Sequence, residues 1–403
     1  MGRRPKEAKE AVKYPGVRSE NGRHTYRYSV PIPGKKGRKQ KETPSYPTAK
    51  EAFEAGIKIK AQLLNGTYFE ERDIIFDDFV IEWLKMYEAT GKVKNTTVDI
   101  RMRELKKCKK YFGHKKIGDI SKKDYQKMLD DQKKQEYSLN SIKLLHSACS
   151  LVFKKAVDLE MIKSDPTSSA EIPTYQATVE ELENKTEIPK YMEKEELTRF
   201  LNVVKEHGDR QDFNLFYLIA YTGMRIGEMS ALNKNKDINR AEKFISITKT
   251  LYCKKKIKEY VINTPKTKAS RREIDITDSV VDVLDDQIAW LNEFKMANRK
   301  TYYDAGFLFV NTRRNPGYPE AHPNITSRMK TYLEIAGLPL SLTPHSLRHT
   351  HVSLLAEVGV ALETIQKRMG HSSDEVTRLI YLHVTKKRRK EAPEKFEKLM
   401  NSL

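Results

Sequence analysis

A chain of 403 residues is longer than one hydrophobic core usually organises, so two or three domains are expected. The formal net charge of +20 runs through the whole chain and calls for a polyanionic partner; with no long apolar run and no signal peptide to suggest a membrane, nucleic acid is the better reading. Cys108, Cys149 and Cys253 are odd in number, far apart in sequence and form no C-x-x-C pair, which argues against a zinc ribbon or redox site and for reduced thiols in a cytosol.

The first segment, 1–69, opens on a Lys/Arg-rich arm. Alternation from His24 to Val30 puts Tyr26, Tyr28 and Val30 on one face and predicts a half-buried strand. Pro33-Gly34-Lys35-Lys36-Gly37 is then a turn, and Arg38 to Thr43 returns as a second strand. The resulting two-stranded ribbon, with Arg27, Lys35, Lys36, Arg38 and Lys39 as its candidate DNA contacts, fits the major groove. An isolated basic cluster is more often a solvated loop; here the excess charge favours DNA. Thr48 and Glu51 carry a capping signature for a helix whose stripe of Phe53, Ile57, Ala61 and Leu64 is expected to cover one sheet face, with Gly66 closing it.

From 74 to 173 the pattern is helical throughout. Val98, Met102, Leu105, Cys108 and Phe112 form one apolar stripe, and Ile142, Leu145, Cys149, Val152 and Ala156 another, which predicts a small helical bundle. Residues 174–190 are acidic, lack apolar periodicity and are bounded by Pro173 and Pro189, the marks of an exposed linker. All catalytic candidates lie beyond it, in 191–385, ahead of a tail from 386 to 403.

An apolar helix around Leu215 to Tyr221 is broken by Gly223, and Met224-Arg225-Ile226-Gly227-Glu228 starts another with Met229 and Leu232 inward. Arg225 in that first turn would join a guanidinium to unpaired backbone N–H groups, a setting for a phosphate; an Arg225–Glu228 ion pair on a surface helix explains the same residues. Ile245 and Ile247 alternate in a short strand. Tyr260 to Asn263 and a strand carrying Ile274 and Ile276 are expected to pair as a hairpin whose turn, Thr264 to Ser270, holds Lys266 and Lys268. A lysine there can protonate a departing oxygen, although most turn lysines meet only solvent. Thr343 caps and Pro344 opens a helix on which His345 and Arg348 are i,i+3 neighbours, suited to one oxyanion or to a structural ion pair. A helix through Leu362, Ile365 and Met369 stops at Gly370 and leaves His371 at a corner. A last helix follows, with Thr377 and Tyr381 on one face, where a tyrosine is equally a core residue.

Order and spacing say more than any single motif. Tyr221-Thr222-Gly223-Met224-Arg225-Ile226-Gly227-Glu228, Thr343-Pro344-His345-Ser346-Leu347-Arg348-His349-Thr350, and Met369-Gly370-His371 followed by Tyr381 resemble the signature boxes of the tyrosine recombinase family. Within it, the integrases of temperate phages and conjugative transposons are the nearest resemblance. It covers nearly the whole chain, because those integrases also carry a small arm-type DNA-binding domain and a helical core-binding domain before the catalytic one. The segmentation above has the same three parts. The expected fold class is therefore multidomain α+β: a small N-terminal β-sheet plus helix (1–69), a helical-bundle core-binding domain (74–173), and a mostly helical catalytic domain with a small antiparallel β-sheet (191–385).

The resemblance places the family's two arginines on Arg225 and Arg348, its histidines on His345 and His371, and its nucleophile on Tyr381. The catalytic lysine falls on Lys266 in preference to Lys268, and Glu228 resembles an acidic residue that orients a neighbour. It implies that Tyr381 attacks a backbone phosphorus to give a 3′-phosphotyrosyl link and a free 5′-hydroxyl, with no metal, ATP or other cofactor. The implied partners are double-stranded DNA at arm-type and core-type attachment sites, a homotetramer exchanging C-terminal segments, an excisionase and a host DNA-bending protein. The implied setting is the nucleoid in a bacterial cytoplasm. The basic run Lys386-Lys387-Arg388-Arg389-Lys390 and the apolar Phe396, Leu399, Met400 and Leu403 suit such an exchange, or a tail folded back on its own domain. Three rivals remain: a metal-dependent nuclease or transposase, which would need carboxylates gathered round divalent ions, a type IB topoisomerase, and an architectural DNA-binding protein without catalysis.

Overall fold

The computed structural model describes residues 13–31, 37–65, 73–175, 190–253, 256–265, 268–370 and 375–401. Two compact units are present, Met1–Gln176 and Ala177–Leu403. The expected linker lies almost wholly outside the described residues.

In the first unit, β1 (Val17–Glu20), β2 (Arg23–Pro31) and β3 (Arg38–Glu42) form an antiparallel sheet in the order β1-β2-β3. The two-stranded reading missed β1. Its signal is Asn21-Gly22, whose φ values of 50° and 74° are the left-handed pair that a two-residue hairpin turn requires. Tyr26 and Val30 are buried and Tyr28 half-buried, as the alternation predicts. Arg27 is held by Glu42, with Nη2 to Oε1 at 3.1 Å, and Arg38 donates to the Ser29 carbonyl at 3.1 Å. Lys39 pairs in register with Val30. Lys35 and Lys36 lie outside the described residues.

Helix α1 (Ala49–Leu64) begins at Thr48, whose hydroxyl accepts the Glu51 N–H at 3.3 Å. It packs on the sheet through only part of the expected stripe, Phe53, which is half-buried with its ring centroid 6.1 Å from that of Tyr26. Ala49, Ala52 and Gly56 are buried, whereas Ile57 and Leu64 are exposed. At position 56 the approach is closest: a Cβ on Gly56 would stand 2.1 Å from the Tyr26 ring, so that position has room for no side chain. Gly66 lies outside the described residues; the cap is Asn65.

Four helices follow, α2 (Phe76–Ala89), α3 (Asn95–Phe112), α4 (Lys122–Lys134) and α5 (Leu139–Asp158). Both predicted stripes supply their core: Leu105, Cys108 and Phe112 from α3 and all five stripe residues of α5 are buried, with Val98 and Met102 half-buried. Cys108 and Cys149 meet inside it, sulfur to sulfur at 3.2 Å. That hydrogen bond and burial push the Cys108 thiol well up, so it stays protonated.

The second unit contains α6 (Lys194–His207), α7 (Arg210–Thr222), α8 (Ile226–Ser230), β4 (Ile238–Asn239), β5 (Phe244–Ile247), β6 (Thr250–Tyr252), β7 (Val261–Asn263) and β8 (Arg272–Asp275). It continues with α9 (Asp278–Ala297), α10 (His322–Ile335), α11 (Pro344–Glu357), α12 (Leu362–Met369) and α13 (Glu375–Met400). Helix α7 is buried on nearly every side, through Leu215, Phe216, Leu218, Ile219 and Ala220. The expected pairing of the strands flanking the lysine turn does not occur. Strand β7 pairs with β6, and β8 pairs with β5 in a β4-β5-β8 sheet, aligning Ile274 with Ile245. Burial decides the partner, because Ile245 and Ile274 are both fully buried in the main core whereas Val261 and Ile262 are exposed. The lysine turn therefore joins two sheets. The fold class is multidomain α+β, mostly helical with small antiparallel sheets. No described helix is long and apolar enough to cross a membrane.

Candidate active site

Helix α7 ends at Gly223, which takes the left-handed conformation (φ 65°) and donates its N–H to the Ile219 carbonyl at 2.8 Å. A Cβ there would meet Met369 Cε at 2.6 Å and His351 Cδ2 at 2.9 Å, so the position needs glycine for conformation and for space. Two residues on, Arg225 caps α8 rather than lying in its first turn. Its backbone N–H donates to Glu228 Oε2 at 3.0 Å and its Nη1 to Glu228 Oε1 at 2.8 Å. The helix is five residues long and the Arg225 backbone N–H is already engaged by Glu228.

The i,i+3 pair is thus real but is no surface feature. The side chain of Glu228 is 3% exposed and that of Arg225 33%. Glu228 also accepts from Arg272, at 2.9 Å from Nη2 and 3.2 Å from Nη1. Burial alone would raise the Glu228 carboxyl; the hydrogen bonds and charge of Arg272, with those of Arg225, hold it below its ordinary range. Removing one partner of so buried a pair costs on the order of 3–5 kcal/mol.

Helix α11 starts as predicted, with Thr343 donating its N–H to Ser346 Oγ at 3.2 Å and Pro344 in the first turn. Arg348 lies deep in it, 2% exposed. Its Nη1 donates to the Gly223 carbonyl at 2.5 Å and its Nη2 to the Met369 carbonyl at 2.6 Å. One side chain thereby fastens the loop before Arg225 to the last turn of α12. His345, three residues earlier, is exposed and stands edge-on to His349, ring centroids 4.7 Å apart. Gly370 closes α12 at φ 70° against Arg272, whose Cδ would be 3.1 Å from an added Cβ.

Tyr381 is half-buried on α13 and packs on a cluster of Val352, Ala356, Ile365, Met369 and Ile380. Met369 is thus common ground, its side chain lying under the tyrosine's cluster and its carbonyl receiving the Arg348 guanidinium. Thr377 is buried. Lys266 and His371 lie outside the described residues, and Lys268 opens a short 3-10 turn, Lys268–Ser270. The helix carrying Tyr381 runs without a break to Met400, through the segment expected as a tail.

Three neighbours of this site were not found by motif reading. Arg272 was legible: it has the same parity as buried Ile274 in β8, which turns a charge inward. Its Nε donates to the Arg368 carbonyl at 2.7 Å. Arg368 in turn donates from Nε to His351 Nε2 at 3.1 Å and from Nη1 to the Asp275 carbonyl at 3.0 Å. His351 lies 2.9 Å from the Ala220 carbonyl through Nδ1; a carbonyl only accepts, so Nδ1 carries the proton and Nε2 is the acceptor. Burial, with the Arg368 charge, pushes His351 down to about 3 and keeps it neutral. Nothing in the sequence separates His351 or Arg368 from ordinary helix residues.

A mostly helical unit that gathers two arginines round one glycine corner beside a tyrosine-bearing helix has the form of a DNA strand-transferase. The Phage integrase family model matches residues 190–388, and that of the Phage integrase, N-terminal SAM-like domain matches 75–131. The chain belongs to this family, the tyrosine recombinases, and is a site-specific recombinase of the integrase type. It is 29% identical to the integrase of Staphylococcus phage L54a over 86% of this chain and 99% of that protein. It is 26% identical to the ICEBs1 integrase of Bacillus subtilis (strain 168) over 94% of this chain and 98% of that one. Two solved structures share the fold. The Tn1549 transposon integrase in complex with transposon right end DNA has a TM-score of 0.57 at 23% identity, covering 77% of this chain and 94% of its own. A lambda integrase tetramer bound to a Holliday junction has a TM-score of 0.55 at 17% identity, covering 91% and 95%.

Proposed function

We propose that this recombinase cuts and rejoins double-stranded DNA by attack of the Tyr381 hydroxyl oxygen on a backbone phosphorus bound between Arg225 and Arg348. The observation that carries this reading is the double anchorage of Arg348. It ties the Gly223 corner, two residues before Arg225, to Met369, on whose cluster Tyr381 packs. In the step, a phosphorus–phenolate bond forms and the bond to the 5′ oxygen breaks. The leaving oxygen takes the electron pair and a proton from Lys266, while the tyrosine proton passes to solvent or a neighbouring base. Arg225, Arg348, His345 and His371 neutralise the non-bridging oxygens as charge builds on them. The phosphotyrosyl ester keeps the energy of the broken bond, so a second strand's 5′-hydroxyl can reverse the step.

The likeness to the DNA-bound Tn1549 integrase and to the lambda integrase tetramer on a Holliday junction supports the partners: duplex DNA at core-type sites, and a homotetramer. Residues 1–69, with Arg27, Lys35, Lys36, Arg38 and Lys39, take arm-type DNA; residues 74–173 and Lys268 take the core site. An excisionase and a host DNA-bending protein set direction, and the enzyme works at the nucleoid in a bacterial cytoplasm. The test is a nicked suicide duplex drawn from the DNA flanking the coding sequence. Wild type leaves an SDS-resistant protein–DNA adduct, and Tyr381→Phe leaves none while still shifting the duplex. A wild type that binds but never forms an adduct is an architectural protein, and the reading fails.

A further inference from the structure

The two arginines of the site are joined twice. On one side the link is short, because Arg348 Nη1 donates to the Gly223 carbonyl at 2.5 Å and Arg225 follows two residues later. On the other side the link runs through a residue with no assigned role. Arg225 grips Glu228; Glu228 is gripped by Arg272 through both carboxylate oxygens; Arg272 Nε holds the Arg368 carbonyl at 2.7 Å; and Arg348 Nη2 holds the next carbonyl, that of Met369, at 2.6 Å. The chain of bonds closes on itself. Arg272 Nη1 also donates to the Ser270 carbonyl at 3.2 Å, the last residue of the turn that begins at Lys268.

We propose that Arg272 is a positioning residue for strand cleavage, which sets Arg225, Arg348 and the lysine-bearing turn in register by holding Glu228, the end of α12 and Ser270 at once. A guanidinium is suited to this because its planar fork places five donors in fixed directions, so three acceptors held by one group cannot move independently. The side chain is 5% exposed, and its Nε, Nη1 and Nη2 all donate to acceptors within the protein. Its effect is on preorganisation: two cations aimed at the same non-bridging oxygens lose most of their value when their separation drifts by about 1 Å. Gly370 belongs to the same device, since an added Cβ would stand 3.1 Å from Arg272 Nη1.

The inference rests on the strand-cleavage reading above, and the test separates the two. Arg272→Gln and Arg272→Lys are compared with wild type in the full-length chain. The readouts are affinity for the suicide duplex by fluorescence anisotropy, single-turnover adduct formation under saturating protein, and thermal unfolding to correct for the folded fraction. Adduct formation is expected to slow about 100-fold in both variants while affinity changes less than about threefold. The lysine variant decides between positioning and simple neutralisation, and carries the test should the glutamine variant unfold. It keeps a positive charge beside Glu228 but cannot reach Glu228, Ser270 and Arg368 together. Folded Arg272→Lys cleaving at the wild-type rate overturns the proposal, as does a rate that falls only in step with affinity. A wild type that yields no adduct overturns the recombinase reading and this one with it.

Discussion

Arg348 and Gly223 are 125 residues apart in sequence, yet the Arg348 guanidinium donates to the Gly223 carbonyl at 2.5 Å. The corner is shaped by what packs on it, with Met369 and His351 within 3 Å of where a Cβ would stand. Gly223→Ala should therefore destabilise the chain by about 2–4 kcal/mol, from the left-handed conformation and the crowding together. Urea unfolding measures it, and adduct formation by the folded fraction should also slow because the acceptor of Arg348 is displaced. An alanine variant as stable and as fast as wild type would contradict the packing described.

His351 gives a pH signature. Unfolded, it takes up a proton near its ordinary value of 6.5, whereas in the folded chain it stays neutral down to about 3. Between these values the unfolded state binds more protons, so this contribution to stability is complete above 6.5 and is lost as the pH falls towards 3. The advantage of wild type over His351→Gln should shrink by up to about 1.4 kcal/mol per pH unit in that window. Chemical unfolding at a series of pH values reads it directly, and a constant difference would mean that His351 is not held neutral.

Close approach in the N-terminal sheet predicts a separate defect. Gly56→Ala places a methyl group against the Tyr26 ring, where a Cβ would be 2.1 Å away. The helix must lift from the sheet at a cost of about 1–3 kcal/mol. Limited proteolysis should then cut within 13–65 sooner, while adduct formation on core-type DNA continues at the wild-type rate. Unchanged proteolysis would show that the helix does not sit on Tyr26.

Affinity for duplex DNA should fall steeply with salt, because each phosphate neutralised by lysine or arginine releases counterions. For six to ten contacts the loss is on the order of 10³–10⁵ between roughly 50 and 200 mM salt. A titration by anisotropy gives the slope; a flat response would be incompatible with backbone binding by a chain of net charge +20.

Periodicity and turn chemistry were strong guides where a local rule decides the outcome. The stripe residues of α5, the alternation of Tyr26 and Val30, the Thr343–Pro344 start of α11 and the stops at Gly223 and Gly370 each follow from neighbours within a few residues. The pairing of β8 with β5 was not readable, since a short strand with a buried isoleucine can choose either partner until the core is assembled. Likewise, of the apolar stripe of α1 Phe53 meets Tyr26 while Ile57 and Leu64 stay exposed, and the closest approach falls at Gly56, which no apolar periodicity marks.

The linear order of residues determined the chemistry available: two arginines, histidines, turn lysines and a late tyrosine in boxes that resemble one enzyme family. Glu228 was marked among them by the resemblance, but only the folded chain decided what else steadies them. Arg272, Arg368 and His351 come from β8, α12 and α11, and meet Glu228, one another and backbone carbonyls through hydrogen bonds rather than through any repeat in sequence. Buried polar groups must find partners wherever packing delivers them, and packing is a property of the whole assembled core, to which no short stretch of sequence has access.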